Sequence, residues 1–141
     1  MSEQPEFYPM PGFPTLAARD LAASVAWYRA VGFANVFEMP MLAHLRWARY
    51  ADLLLRPEPG LQGPKGVGVT ISFAVAEKLD ELAARVSRAG IAFLREPGDR
   101  AWNARDFSIA DPDGYALIFT MGPLRSDLSF EAVIANARRP Q

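Results

Sequence analysis

Two stretches of this chain carry the same pattern, and that repetition leaves few folds open. Residues 21–33, LAASVAWYRAVGF, set Leu21, Val25, Trp27, Tyr28 and Val31 at helical spacing and stop at Gly32. Residues 79–91, LDELAARVSRAGI, do the same with Leu79, Leu82 and Val86, and stop at Gly90, 58 residues after Gly32. Asp20 is a suitable cap for the first helix, and Glu77 is expected to add first-turn charge to the second. A β-rich run precedes each helix, at 13–18 and 67–75, and an apolar stretch follows, at 33–37 and 91–94. Strand pairs come next, 42–49 with 51–56 and 105–110 with 115–120. The pattern predicts an α+β chain in which β-α-β-β-β is written twice. The two βαβββ modules are expected at 13–57 and 67–121, within a single domain spanning 1–141. PEPGLQGPKG is Pro/Gly-rich and marks a linker at 58–66.

Composition narrows the chemistry. The chain has 141 residues, half of them hydrophobic, enough to bury a core. A net charge of −1 argues against a polyanionic partner such as nucleic acid. The sequence contains no cysteine, so disulfides, thiolate metal sites and cysteine nucleophiles are all excluded. No apolar run approaches the roughly 20 residues needed to cross a bilayer, and MSEQPEFYPMPGF does not read as a signal peptide. A cytoplasmic protein with no membrane partner is the expectation.

Residues 111–120, DPDGYALIFT, join a tight acidic turn to an apolar strand with no carboxylate in it. Asp-Pro and Asp-Gly both suit a turn. This closing element, RDLAASVAWYRAVGF and the duplicated βαβββ unit together resemble the vicinal oxygen chelate superfamily, over residues 13–120. That superfamily includes glyoxalase I, extradiol dioxygenases and the bleomycin-resistance proteins. The resemblance implies two modules whose curved sheets surround a cavity, often completed between two chains, and hence a homodimer.

Enzymes of that superfamily hold a divalent metal through His and Glu on inner strands, where it acts as a Lewis acid. The matching positions here carry other residues: Phe13, Pro14 and Thr15 on the first strand, Thr70 in the second module, Ile118 after the DPDG turn, and Arg56 on the fourth strand. The single histidine is His44. No metal and no cofactor are therefore expected. Asp52 and Asp106 are the remaining candidate oxygen ligands.

Among metal-free relatives, FANVFE and WNARDFSIADPDG resemble the bleomycin-resistance type. In those proteins an aromatic pair clamps flat heteroaromatic rings. Carried over, the resemblance gives Trp102 the stacking role and Phe37 or Phe33 the opposing face. Bleomycin is polycationic, and a nearly neutral chain suits a flat, less charged ligand better. A period of two along 42–50 puts His44, Arg46 and Ala48 on one face and Leu45, Trp47 and Arg49 on the other. The apolar pair, with Arg49, is expected to face inward. Arg105 is a further candidate ligand contact, or else part of a solvated rim. Trp27 and Tyr28 are expected in the core, and Trp102 in a loop.

Residues 122–141 predict a C-terminal helical extension, capped by Ser126 or Asp127, with Leu128, Phe130, Val133 and Ile134 along one side. The functional expectation is non-catalytic sequestration of an aromatic small molecule or antibiotic. The alternative is a glyoxalase- or dioxygenase-type enzyme with an atypical or absent metal site. A third option is a metal-free isomerase or cyclase using His44 or Asp106 as base.

Overall fold

The computed structural model describes residues 6–63, 66 and 68–138. Pro64 and Lys65 of the expected linker, Val67 at the start of the expected second module, and 139–141 of the expected extension lie outside the described residues, as do 1–5. The chain divides into two compact units, Met1–Val69 with Ala110–Ala116, and Thr70–Ile109 with Leu117–Gln141. Among the described residues no helix is long and apolar enough to cross a membrane.

The first unit runs β1 (Thr15–Ala18), α1 (Leu21–Val31), β2 (Ala34–Met39), β3 (Leu42–Ala48) and β4 (Ala51–Pro57). Its sheet has the order β1-β4-β3-β2, with β1 parallel to β4 and the other neighbours antiparallel. Asp20 caps α1 as expected, its Oδ1 accepting from the Ala23 amide at 3.1 Å. Gly32 ends the helix at φ 135°, a conformation that only glycine adopts without strain. Val25, Tyr28 and Val31 are buried, whereas Trp27 is only half-buried, packed edge-on against Tyr28. The core ring of α1 is therefore Tyr28, and Trp27 sits at the edge.

The second unit repeats the order with β5 (Thr70–Ala74), α2 (Leu79–Arg88), β6 (Phe93–Arg100), β7 (Ala104–Ala110) and β8 (Ala116–Met121), in a sheet β5-β8-β7-β6. The α+β reading of two tandem βαβββ modules holds. Phe73, Phe119 and Phe107 lie on three neighbouring strands and stack in succession, with centroids 5.6 and 5.3 Å apart. Leu79, Ala83 and Val86 of α2 are buried. The acidic first turn of α2 comes from Asp80 and Glu81, because Glu77 lies ahead of a left-handed Lys78 that opens the helix. Helix α3 (Phe130–Ala137) follows β8. Its cap is Ser129, whose Oγ accepts from the Ala132 amide at 3.1 Å, rather than Ser126 or Asp127.

The turn between β7 and β8 belongs to the first unit, and its two aspartates explain why. Asp111 and Asp113 are 5% and 4% exposed, so each must be supplied with donors. Asp111 accepts from the Tyr28 hydroxyl at 2.7 Å and from the Asp113 and Tyr115 amides at 2.9 and 3.0 Å. Asp113 accepts from the Arg19 amide at 3.2 Å, and the Tyr115 hydroxyl accepts from the Ala17 amide at 3.2 Å. Burial, and then the Asp111 charge, push the Tyr28 hydroxyl well above the usual tyrosine pKa. Gly114 supplies the positive φ of 91° that the turn needs. Tyr28→Phe removes one donor from a buried carboxylate while keeping the ring. It should destabilise the protein by about 1–3 kcal/mol in denaturant unfolding, with the native circular dichroism spectrum unchanged.

Candidate functional site

Strand register decides which face of the first sheet is polar. Arg46 lies opposite Asp52, and His44 lies between Phe37 and Leu54, so Phe37, His44, Arg46 and Asp52 share one face. The other face carries Ala43, Leu45, Leu53 and Leu55, none more than 1% exposed. Helix α1 packs against this face, and the rings of Tyr28, Phe33 and Trp47 follow one another at 5.1 and 5.4 Å. The expectation that Leu45 and Trp47 face inward to a ligand is thus reversed. Leu45 and Phe33 are buried in the core beneath the helix, and the half-buried Trp47 packs against Phe33.

The polar face holds a cluster of His44, Arg46 and Asp52 beside aromatic rings. Asp52 is 4% exposed. Its Oδ2 meets His44 Nε2 at 2.6 Å, and Arg46 grips both oxygens through Nε at 2.8 Å and Nη2 at 2.9 Å. Burial alone would push the Asp52 carboxyl up, but the hydrogen bonds and charges of Arg46 and His44 outweigh it and hold the pKa below the usual carboxylate range. An ionised carboxylate only accepts, so Nε2 of His44 carries the proton in this contact. Phe37 stands edge-on to His44 at 5.4 Å and stacks on Phe7 at 5.6 Å. Tyr8 lies under the Arg46 guanidinium, 4.3 Å from ring centroid to charge. Arg49 is exposed and reaches away toward Glu6, Tyr8 and Tyr50.

The second unit presents Trp102. Strand β6 extends through 93–100, so the indole lies not in a long loop but in the tight turn before β7, where it is 44% exposed. Asn103 takes a left-handed conformation there, and its side chain bonds the Arg125 carbonyl and amide at 2.8 and 2.9 Å. The segment after β8 is thereby held beside the turn. A groove of about 460 Å³ results, lined mainly by Trp102, Ala104, Pro123, Leu128, Phe130 and Val133. Arg95 lies 5.8 Å from the Trp102 ring centroid. Arg105 is engaged by Asp80 at 2.9 Å and Asp99 at 3.0 Å, as a member of a surface rim.

Of the residues expected at a site, the first unit brings Phe37 together with His44, and Phe33 together with Trp47. Leu45 is withdrawn into the core, and Arg49 lies to one side. The Arg46–Asp52 pairing had a readable signal, since a hairpin turning at 49–50 makes the two residues cross-strand neighbours. Phe7 and Tyr8 carried no such signal, because no periodicity links them to β3.

A divalent cation does not suit these residues. Asp52 has both oxygens committed to a guanidinium, whose positive charge would face the cation. Among the described residues no three His, Cys, Asp or Glu side chains converge as a ligand set. Thr15, Thr70, Arg56 and Ile118 offer no carboxylate or imidazole in their place.

Comparison with known proteins places the fold. A family model described as the Glyoxalase/Bleomycin resistance protein/Dioxygenase superfamily matches residues 12–119. The structure is similar to that of a bleomycin-binding protein complexed with bleomycin, with TM-score 0.66 and 22% identity over 81% of this chain and 99% of that one. It is similar to a glyoxalase/bleomycin resistance protein/dioxygenase from Nocardioides, with TM-score 0.64 and 25% identity over 83% and 85%. A lactoylglutathione lyase from Agrobacterium tumefaciens aligns with TM-score 0.63 and 22% identity over 86% and 98%. No curated protein gives a match.

The depressed Asp52 pKa makes a statement about stability. Its contribution is complete above the unfolded carboxylate value of about 3.9 and is lost as pH falls through the lower folded value. Asp52→Asn should therefore lower the unfolding free energy at pH 6, and the gap from the parent should shrink below about pH 4. Urea unfolding at a series of pH values measures this.

Proposed function

The chain belongs to the glyoxalase/bleomycin resistance protein/dioxygenase superfamily, and on that premise we propose that it binds and sequesters a flat aromatic small molecule without transforming it. The observation that carries this reading is the Trp102 groove. A half-exposed indole stands at the edge of an apolar trough of about 460 Å³, within the range of about 300–1,000 Å³ that small-molecule sites occupy. An indole supplies broad, rigid contact at low entropic cost, so stacking plus burial suffices for affinity without a reacting group. The solved relative named as a bleomycin complex makes drug binding a natural use of this fold, while a net charge of −1 favours a ligand less cationic than bleomycin.

The same reading assembles the protein as a homodimer. Phe130 is 77% exposed at the start of α3 and offers an apolar contact for a second copy. Sedimentation at micromolar concentration should give a species of twice 15.5 kDa, and a species near 15.5 kDa alone would contradict the dimer.

Trp102→Ala tests the groove. Loss of the indole should weaken aromatic ligand binding by roughly 1–3 kcal/mol, about tenfold to a hundredfold in Kd. The melting temperature should stay within a few degrees, because Trp102 is outside the core. A screen of planar antibiotics by native mass spectrometry supplies the ligand. An unchanged affinity in the variant, together with a large loss of stability, would assign Trp102 to packing instead.

A further inference from the structure

Four arginines flank the Trp102 turn: Arg95 and Arg100 on β6, Arg105 on β7, and Arg125 in the segment that Asn103 holds. Three of them are engaged. Arg100 meets Asp106 at 2.8 Å, Arg105 meets Asp80 and Asp99 at 2.9 and 3.0 Å, and Arg125 meets Asp127 at 2.7 Å. Arg95 is exposed, and no carboxylate among the described residues pairs with it, including that of Glu96 beside it in the chain. It stands opposite Ser108 on an edge strand, and the ladder slips between Arg95 and Gly98. An irregularity of this kind bends a strand and re-aims its side chains. The Arg95 guanidinium lies 5.8 Å from the Trp102 ring centroid, within the range of cation–π attraction. None of the residues lining the groove beside the indole carries a charge, so the charge met there is set at the rim.

We infer that Arg95 is an anion subsite at the rim of the Trp102 groove, and that the ligand is a flat aromatic ring carrying a carboxylate or a similar anionic oxygen group. This rests on the reading of the groove as an aromatic site and adds the charge of what enters it. The apolar lining accepts the ring and supplies no countercharge. Interacting aromatic rings stand with centroids about 4.5–7 Å apart. A substituent one or two bonds out from a ring on the indole therefore comes within reach of a guanidinium 5.8 Å from that indole. The other three arginines cannot serve in its place. Each already faces a carboxylate, which would repel a second anion brought to the same guanidinium. Arg95 gains an ion pair without breaking one. A charge-assisted hydrogen bond from its planar fork also fixes how the ring lies. A polycation is the ligand least suited to this rim, because it meets a positive charge that nothing balances.

The test uses the full chain and three probes of nearly one shape: anionic 2-naphthoate, neutral 2-naphthamide and cationic 2-naphthylmethylammonium. Each is titrated into the parent, Arg95→Gln, Arg95→Lys and Trp102→Ala while NMR signals of the Trp102 indole N–H and the Arg95 Nε–H are followed. In the parent at about 0.02 M salt, 2-naphthoate should bind about two- to fivefold more tightly than 2-naphthamide, the worth of one exposed ion pair. The ammonium probe should bind most weakly. Arg95→Lys should keep that order. Arg95→Gln should remove the difference between 2-naphthoate and 2-naphthamide, and about 0.5 M salt should do the same to the parent. Trp102→Ala should weaken all three probes together. Arg95→Gln should melt within a few degrees of the parent, because the side chain it replaces is exposed and unpaired. Equal binding of 2-naphthoate and 2-naphthamide to the parent, or a preference that survives Arg95→Gln, would overturn the anion subsite and leave the aromatic groove standing. A Trp102 signal unmoved by every probe would overturn the groove and the subsite with it.

Discussion

A carboxylate taken out of water must be met by donors, and the turn at 111–114 depends on how the first unit provides them. Tyr28 on α1 reaches Asp111, while the Arg19 amide between β1 and α1 reaches Asp113. The turn's own amides complete the set at Asp111. One helix, one strand end and a turn nearly a hundred residues away are tied through two side chains. An acidic turn that looks like a surface feature is thus a buried anchor.

The same physics repeats at the polar face of the first sheet, with a different outcome. Asp52 is also buried, but its donors are charged or chargeable side chains rather than amides and a hydroxyl. The pair Arg46–Asp52 neutralises itself and leaves a directed donor at Arg46 Nη1, which meets the Glu6 carbonyl. A face of that kind recognises shape and acceptors better than it holds ions. The missing carboxylate on the strand after the turn fits this picture, since Ile118 stands where the superfamily's metal enzymes carry an acid.

Much of the fold was legible because the helices announce themselves twice, with Gly32 and Gly90 closing equivalent patterns. Caps were legible where a side chain sits one residue ahead of the apolar period, as at Asp20. The cap of α3 was not, because Ser126, Asp127 and Ser129 all precede the same apolar run and only packing chooses among them. The face of β3 was misassigned for a physical reason. Apolar residues were assigned to the ligand side, but a sheet covered by a helix on one face spends its best apolar side chains there. Trp102 was expected in a loop, yet β6 runs through Pro97 and Gly98 to Arg100, so the ring stands on a short turn. The docking of Phe7 and Tyr8 rests on contacts spanning some 40 residues, which no local pattern encodes.

Sequestration differs from catalysis in the fate of the ligand, and that can be measured directly. The purified protein is incubated with a panel of planar aromatic antibiotics, complexes are isolated by native mass spectrometry, and the bound compound is released by denaturation and weighed. The account predicts a complex whose released ligand has an unchanged mass and returns in full after repeated cycles. A bound compound recovered with an altered mass, or consumed beyond one equivalent per chain, would contradict it and make the protein an enzyme.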